Sequence, residues 1–417
     1  MTTTVPKRGL DITIVGGGLG GAISARVLRT HHNVTILERT PHAVEFGAAL
    51  LIGPSTMQYL DKLGLDRSKI GCVGMDFVRI WTKEEILVHD HALNWEKDYG
   101  DKWLSNNRAD LRNEFLRLAT APSAELGVEG NPAKIVFGAE VAAVDTQTGK
   151  LTLKNGDVYE SDLVIGADGI NSIVRPFVVD EPVAVNPPKP SGTSAFRFVI
   201  PAKEAMEIYP HLPGPNQPSL GIMVAADGSQ RSLAFYPFRD FTMFNFIMLV
   251  PDNLLKDPVS GSKNELRSAE DVLVYFHDFP EGIKAILRLA TNIRLWQIRH
   301  QDPLPTYVKG RVMLVGDAAH AMTPTQSQGA NQAIEDAEGL ELLNDDAVDR
   351  GSLNAVLQQW ERVRRPRASI VQDLSSGVLS SHDITTVYKH APFYWSYPGI
   401  VKSLELLDKG ELITYAG

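Results

Sequence analysis

The stretch Asp11–Glu38, DITIVGGGLGGAISARVLRTHHNVTILE, constrains the fold more than any other part of this 417-residue chain. It orders an apolar run (Ile12, Ile14, Val15), three glycines spaced G-x-G-x-x-G (Gly16, Gly18, Gly21), a helix-forming segment through Leu28, and a second apolar run, Val34 to Leu37, closed by Glu38. Strand, turn, helix, strand is the reading. Gly16 permits the tight turn, Gly18 lets a pyrophosphate approach the backbone at the positive end of a helix, and Gly21 lets that helix pack on the sheet. Glu38, 22 residues beyond Gly16, can accept hydrogen bonds from a ribose and would repel a 2′-phosphate. Which dinucleotide binds is open at this point.

With 43% hydrophobic and 22% charged residues, the chain can bury two or three sizeable cores. Its net charge of −9 argues against a broad nucleic-acid surface, which needs concentrated Lys and Arg. A single cysteine, Cys72, excludes an intramolecular disulfide and a cysteine-based metal cage, and suits a reducing compartment. No apolar run reaches the roughly 18 residues that span a bilayer, and MTTTVPKRGLDITIV lacks a signal-peptide core. The expectation is a soluble cytoplasmic protein that binds neither membrane nor nucleic acid.

Hydrophobic spacing predicts a helix over 55–63, strands within 71–101, and a helix in NNRADLRNEFLRLA capped by Asn106 or Asn107. Arg108 at that helix start opposes the helix dipole, so it is either solvated or serves an anion. LTLKNGDVYESD reads as a hairpin whose Asn155 and Gly156 supply two φ > 0 positions. Pro176, Pro182, Pro187, Pro188 and Pro190 predict an irregular crossover. Strands at 194–200, 220–225, 232–237 and 243–250, helices at 269–276 and 282–290, and a strand at 293–299 predict a mainly antiparallel unit. A helix from Leu353 to about Leu374 should kink or break near Pro366.

Three apolar strands end in glycine-bearing turns: Val15-Gly16, Ile165 to Gly169, and Val315-Gly316-Asp317. In an open parallel sheet, ligands gather at the carboxyl ends of the strands, so the three turns could converge on one long molecule. Together, VGGGLGG (15–21) with Glu38, DLVIGADGINSIVR (162–175) and GRVMLVGDAAHAMTPTQSQGANQAIEDAEGL (310–340) resemble the FAD-dependent aromatic monooxygenases, in particular their salicylate-hydroxylase-like branch. Arg108 in NNRADL and the GAALLIGPS stretch also resemble family positions, and the likeness covers most of residues 10–370.

The resemblance implies an α/β fold: a Rossmann-like FAD-binding domain (1–177, returning at 301–375), a mainly antiparallel β-sheet substrate domain (178–300), and C-terminal helices with a tail (376–417). It implies that Gly16, Gly18 and Gly21 hold the pyrophosphate, that Glu38, with Arg39 beside it, binds at the adenosine ribose, and that Arg108 lies near the ribityl and phosphate region. Asp168 belongs to a motif associated with FAD and nicotinamide binding, supported by Arg175, and Asp317 binds the ribityl hydroxyls. Pro324 and the backbone of Gly329, Ala330 and Asn331 flank the isoalloxazine ring, where N–H groups at a helix start can stabilise negative charge on reduced flavin. The activity implied is NAD(P)H- and dioxygen-dependent hydroxylation of a phenolic or other aromatic substrate through a C4a-hydroperoxyflavin, with NAD(P)H a transient visitor and NADH against NADPH open. His320 is read as structural.

No acid, base or nucleophile is marked by motif. Arg197 in AFRFVI and Tyr236 in LAFYPF are the candidates for the substrate pocket, since a guanidinium can pair with a phenolate and a tyrosine hydroxyl can hydrogen-bond or relay its proton. A paired surface arginine and a core tyrosine are the alternatives. Some relatives that hydroxylate small phenols carry a histidine near Ser232, and its absence puts a histidine relay in doubt. Dearomatising, epoxidising or decarboxylating chemistry on a secondary metabolite, and a non-catalytic flavin-binding redox protein, stay open as other readings. The cluster Arg362, Arg364, Arg365 and Arg367 is read as a solvated face or as partner to Glu335, Asp336 and Glu338. Tail aromatics serve packing or dimer contacts, which leaves a homodimer open.

Overall fold

The computed structural model describes residues 9–41, 49–180, 187–258, 264–381 and 385–411; Gly47 and Pro182 lie outside them. Strand Asp11–Val15 is central in a six-stranded sheet, pairing in parallel with Asn33–Glu38 on one side and Leu163–Gly166 on the other. Lys134–Phe137 and Val312–Leu314 extend the parallel order outward, and Val308–Lys309 closes one edge antiparallel. Burial on both faces explains why these strands read as continuous apolar runs. The helix Leu19–Leu28 follows the glycine turn and is almost wholly buried. The α/β architecture expected from the sequence is therefore present.

The second sheet has eight strands. Lys189–Pro201, Met243–Pro251, Ser232–Phe238 and Ser219–Val224 run antiparallel in that spatial order. Alternation divides its faces. Phe196, Phe198, Phe235, Phe244, Phe246 and Met248 pack beneath three helices, Ala202–Ile208, Ala269–Phe276 and Glu281–Leu289. The opposite face turns towards the first domain. This sheet is not confined to 178–300: Phe77–Thr82 pairs in parallel with Ser219–Val224 and carries Leu87–Ala92 at the edge.

Three local expectations are corrected. At the hairpin turn only Gly156 has positive φ, at 93°; Gly156 N–H donates to the Leu153 carbonyl, so a type I turn followed by a glycine replaces the two-residue turn. The prolines are partly in regular structure. Pro176 is the second residue of helix Arg175–Val179, where a missing N–H costs little, and Pro190 sits in Lys189–Pro201 where the ladder shifts register. Finally, the helix expected to kink or break near Pro366 does not break there: Leu353–Ser381 is one 29-residue helix. Arg364 and Arg367 flank the proline and lock the helix by ion pairs to Glu335 and Asp336, which offsets the lost backbone bond.

The C-terminal segment packs on the molecule: Tyr394 and Trp395 are buried, and Trp395 lies 5.6 Å from Trp95. Its last described helix, Ile400–Asp408, is held at its start by Glu338, whose oxygens accept from Ile400 N–H at 2.9 and 3.1 Å and from the Tyr397 hydroxyl at 3.1 Å. Burial and the nearby Glu341 charge raise the Glu338 carboxyl from its ordinary 4.5 to about 7, against the lowering effect of those bonds. Between these values the folded chain holds a proton that the unfolded chain has released, so this contribution to stability is complete below pH 4.5 and lost as pH rises through 7. Glu338→Gln should accordingly lose less stability than wild type between pH 5 and pH 8, as read from urea midpoints; parallel profiles would exclude Glu338 as the titrating group.

Candidate active site

The carboxyl ends of Asp11–Val15, Leu163–Gly166 and Val312–Leu314 converge on a cavity of about 390 Å³ whose opposite wall is the second sheet. Gly18, Gly169, Gly316, Asp317, Pro324, Gly329 and Ala330 line one side together with Arg108, and Arg197, Tyr236, Ile222, Ser232, Ala234, Ile247 and Leu249 line the other. The three glycine turns thus come together, and both pocket candidates, Arg197 and Tyr236, face the same space.

The turn at 16–21 is built for close approach of a ligand. Gly16 has φ of 103°, and a Cβ on Gly21 would stand 2.0 Å from the Gly16 carbonyl oxygen. A Cβ on Gly18 would meet nothing within 4 Å. Gly18 therefore borders a cradle that the protein leaves open at the N-terminus of Leu19–Leu28, as an extended dinucleotide pyrophosphate requires. This separates folding from binding: Gly18→Val should keep the wild-type melting temperature yet retain less than about a tenth of the FAD, because the extended backbone there accepts valine while the side chain fills the cradle. Equal flavin content in the two proteins would place the pyrophosphate elsewhere.

Glu38 does not line the cavity. Its carboxylate accepts from Gly17 N–H at 2.8 Å and from Thr40 N–H and hydroxyl at 2.9 and 2.8 Å, with Arg112 Nη2 4.0 Å away. Burial alone would raise its pKa, but these donors hold it below the ordinary value. Arg39 is exposed beside it. Arg112 also donates from Nε to the Gly17 carbonyl at 2.7 Å, so it braces both the turn and the acid. Sequence reading missed Arg112, although it follows Arg108 by one helical turn.

Asp168 and Asn331 are not among the residues that line the cavity. Asp168 accepts from the Ser172 hydroxyl at 2.6 Å and from the Ile173 and Val174 N–H groups, shaping the loop that leaves Gly169 at the cavity. Burial raises its pKa despite those bonds. Asn331 accepts from Gly53 N–H at 2.9 Å and donates to the Leu51 and Ser327 carbonyls, fastening the strand Ala49–Ile52 to the helix Gly329–Gly339. Arg175 ties two glycine turns together: its guanidinium donates to the Ala318 carbonyl at 2.7 Å, to Asp317 at 3.1 Å and to Ile170 at 2.9 Å. His320 is wholly buried and donates from Nε2 to Asp336 Oδ2 at 2.6 Å, a structural position.

Two cations, Arg108 and Arg197, and one anion, Asp317, stand in a cavity wall that is otherwise mainly apolar. Burial lowers the pKa of Arg108, which Asp317 raises and Arg112 and Arg197 lower; burial lowers that of Arg197, which Tyr236 raises. Arg197 Nε has no hydrogen-bond partner among the described residues. The Tyr236 hydroxyl donates to the Ala49 carbonyl at 2.9 Å. Sheet register explains the convergence: Arg197, Ile247, Ala234 and Ile222 stand opposite one another across four strands, and Tyr236 follows Ala234 by two residues on the same face. Trp103, Ile298, Met322 and Thr323 are also part of the wall and were not anticipated, since loops and remote strands supply them.

The sequence matches the FAD binding domain family over residues 9–78 and 223–374. It is 31% identical to hispidin-3-hydroxylase of Neonothopanus nambi over 381 residues, 88% of this chain and 87% of that protein. It is likewise 31% identical to a salicylate hydroxylase of Pseudomonas putida over 395 residues, 88% of this chain and 85% of that protein. Among solved structures, a salicylate hydroxylase substrate complex superposes with a TM-score of 0.75 at 24% identity, covering 99% of this chain and 100% of that one. A tetrameric 2-methyl-3-hydroxypyridine-5-carboxylic acid oxygenase gives 0.74 at 22% identity, covering 95% and 98%. At these identities the structural likeness speaks for the fold. Among the described residues no helix is long and apolar enough to cross a membrane.

Proposed function

Because the chain belongs to the FAD binding domain family, as an FAD-dependent monooxygenase of the aromatic-hydroxylase type, we propose that it hydroxylates a phenol whose oxygen is held by Arg197 and Tyr236. The observation that carries this reading is the convergence of those two side chains, from different strands, on a cavity that continues to Gly18 and Asp317. FAD, reduced by NAD(P)H, supplies the dioxygen-activating chemistry when bound. Gly16, Gly18 and Gly21 would admit its pyrophosphate, Glu38 with Arg39 and Arg112 would lie at the adenosine end, and Arg108 and Asp317 would meet the ribityl chain. Asp168 and Arg175 shape the turns between them. Pro324, Gly329 and Ala330 would border the flavin ring, with Asn331 fixing the helix start whose N–H groups favour negative charge there.

On the substrate side, the Arg197 guanidinium stabilises the phenolate over the phenol, which makes the ring electron-rich. Tyr236 adds a hydrogen bond to the same oxygen. Leu220, Ile222, Ile247 and Leu249 keep that side of the cavity apolar and exclude water. Functionally the cofactor segments 1–177 and 301–375 flank the substrate segment 178–300, to which residues 77–92 contribute two strands. The absence of paired cysteines accords with work in the cytoplasm.

The test is a panel of phenols against protein reconstituted with FAD. One or more should accelerate NAD(P)H oxidation, with hydroxylated product formed in proportion. Tyr236→Phe should reduce product formation by at least about tenfold while leaving bound FAD intact. Flavin-loaded protein whose NAD(P)H oxidation no phenol stimulates would overturn the reading.

A further inference from the structure

We infer that Asn245 is a positioning residue, set across the ladder so that its amide donates to the Tyr236 hydroxyl oxygen when charge gathers there, and that it thereby sets the polarity with which Tyr236 meets a substrate. This rests on the reading of Tyr236 given above. Asn245 lies directly opposite Tyr236 in the ladder between Ser232–Phe238 and Met243–Pro251. Side chains so opposed stand about 5 Å apart on one face. That face is the cavity face: Ile247 and Leu249, two and four residues further along, line the cavity, whereas Phe244, Phe246 and Met248 enter the core on the other side.

Asn245 is only 1% exposed, and neither its Nδ2 nor its Oδ1 meets hydrogen-bond geometry with any described residue. A buried amide with both ends unmet is costly, and native structures keep such groups where they are used. The one polar group directly across the ladder is Tyr236. Its proton is already donated to the Ala49 carbonyl at 2.9 Å, so its oxygen has lone pairs to offer and requires a donor. The NH₂ end of Asn245 faces it across the ladder as a donor with no other partner among the described residues.

Electrostatics point the same way. Burial raises the Tyr236 pKa, and Arg197 followed by Asn245 lower it. A donor beneath the hydroxyl oxygen stabilises the charge that accumulates there when Tyr236 turns its proton from Ala49 to a substrate oxyanion. No covalent bond changes in this step; one hydrogen bond is exchanged for another, and Asn245 stays in place throughout.

The test reads Tyr236 directly and needs no substrate. The residue is replaced by 3,5-difluorotyrosine, and its ionisation is followed by fluorine NMR in FAD-loaded protein. Asn245→Leu, close in volume but without a donor, should raise the difluorotyrosine pKa by about one unit, and Asn245→Asp, which can only accept once ionised, by more. Asn245→Ala serves in place of the leucine variant if that protein does not retain FAD, with the same expected direction. An unchanged pKa in the leucine or alanine variant overturns the inference. A shifted pKa combined with full turnover by Tyr236→Phe supports the hydrogen bond while removing Tyr236 from the reaction, so the two readings fail separately.

Discussion

Arg364→Met is expected to lower the free energy of unfolding by about 3–5 kcal/mol, the cost typical of removing one partner from a buried ion pair. Arg364 is wholly buried; its Nη1 donates to Glu335 at 2.6 Å, its Nε to Asp336 at 3.0 Å and its Nη2 to the Gln332 side chain at 2.9 Å. Arg367 satisfies Glu335 a second time, at 2.7 and 2.9 Å, but Asp336 would be left with His320 and the Gly316 N–H as donors. Asp336 thus fixes the turn that presents Asp317. The variant should also hold FAD less firmly, in proportion to the disorder introduced at that turn. Chemical denaturation and flavin content measure the two effects; a loss below about 1 kcal/mol would mean that the buried charges find water instead.

Arg197→Met should lower kcat/KM for any accepted phenol by about 10²–10³-fold, the usual consequence of deleting one preorganised donor to a developing or resident oxyanion. Arg197→Lys should recover only part of this, because an ammonium lacks the planar fork of the guanidinium. FAD content should stay at the wild-type level, since the side chain reaches the cavity from the second sheet. A methionine variant within threefold of wild type would show that Arg197 serves only the wall. The two large effects are therefore distinguishable: one moves stability and cofactor retention, the other moves turnover alone.

Most of the cofactor side was legible from sequence because glycine turns after apolar strands have local causes: φ, close approach and a helix start all reside within ten residues. Tyr236 and Arg197 were legible through strand alternation. What escaped depended on pairings between distant segments. Nothing in Phe77–Thr82 announces that it will lie parallel to Ser219–Val224, and the propensity against Pro366 was overridden by ion pairs from another helix. The motif puts Asp168 and the backbone of Asn331 at the cofactor; the Asp168 side chain shapes the loop that leaves Gly169 at the cavity, and the Asn331 side chain fastens a strand to the helix whose Gly329 and Ala330 line it. Asn245 did carry a signal, a lone amide in the apolar strand MFNFIMLV, which alternation assigns to the cavity face.

Arg175 has a kinetic consequence. It meets Ala318 across 143 positions of the chain, and the parallel sheet that carries the glycine turns needs Val312–Leu314 beside Leu163–Gly166. Such long loop closures are slow and leave strand edges open meanwhile. Gly16 and Gly316 are 300 residues apart, so at ordinary synthesis rates the first half of the site waits about 15–60 s on the ribosome for the second. Flavin capture is consequently a late event in the life of the nascent chain, since the turn that carries Gly316 and Asp317 is made last.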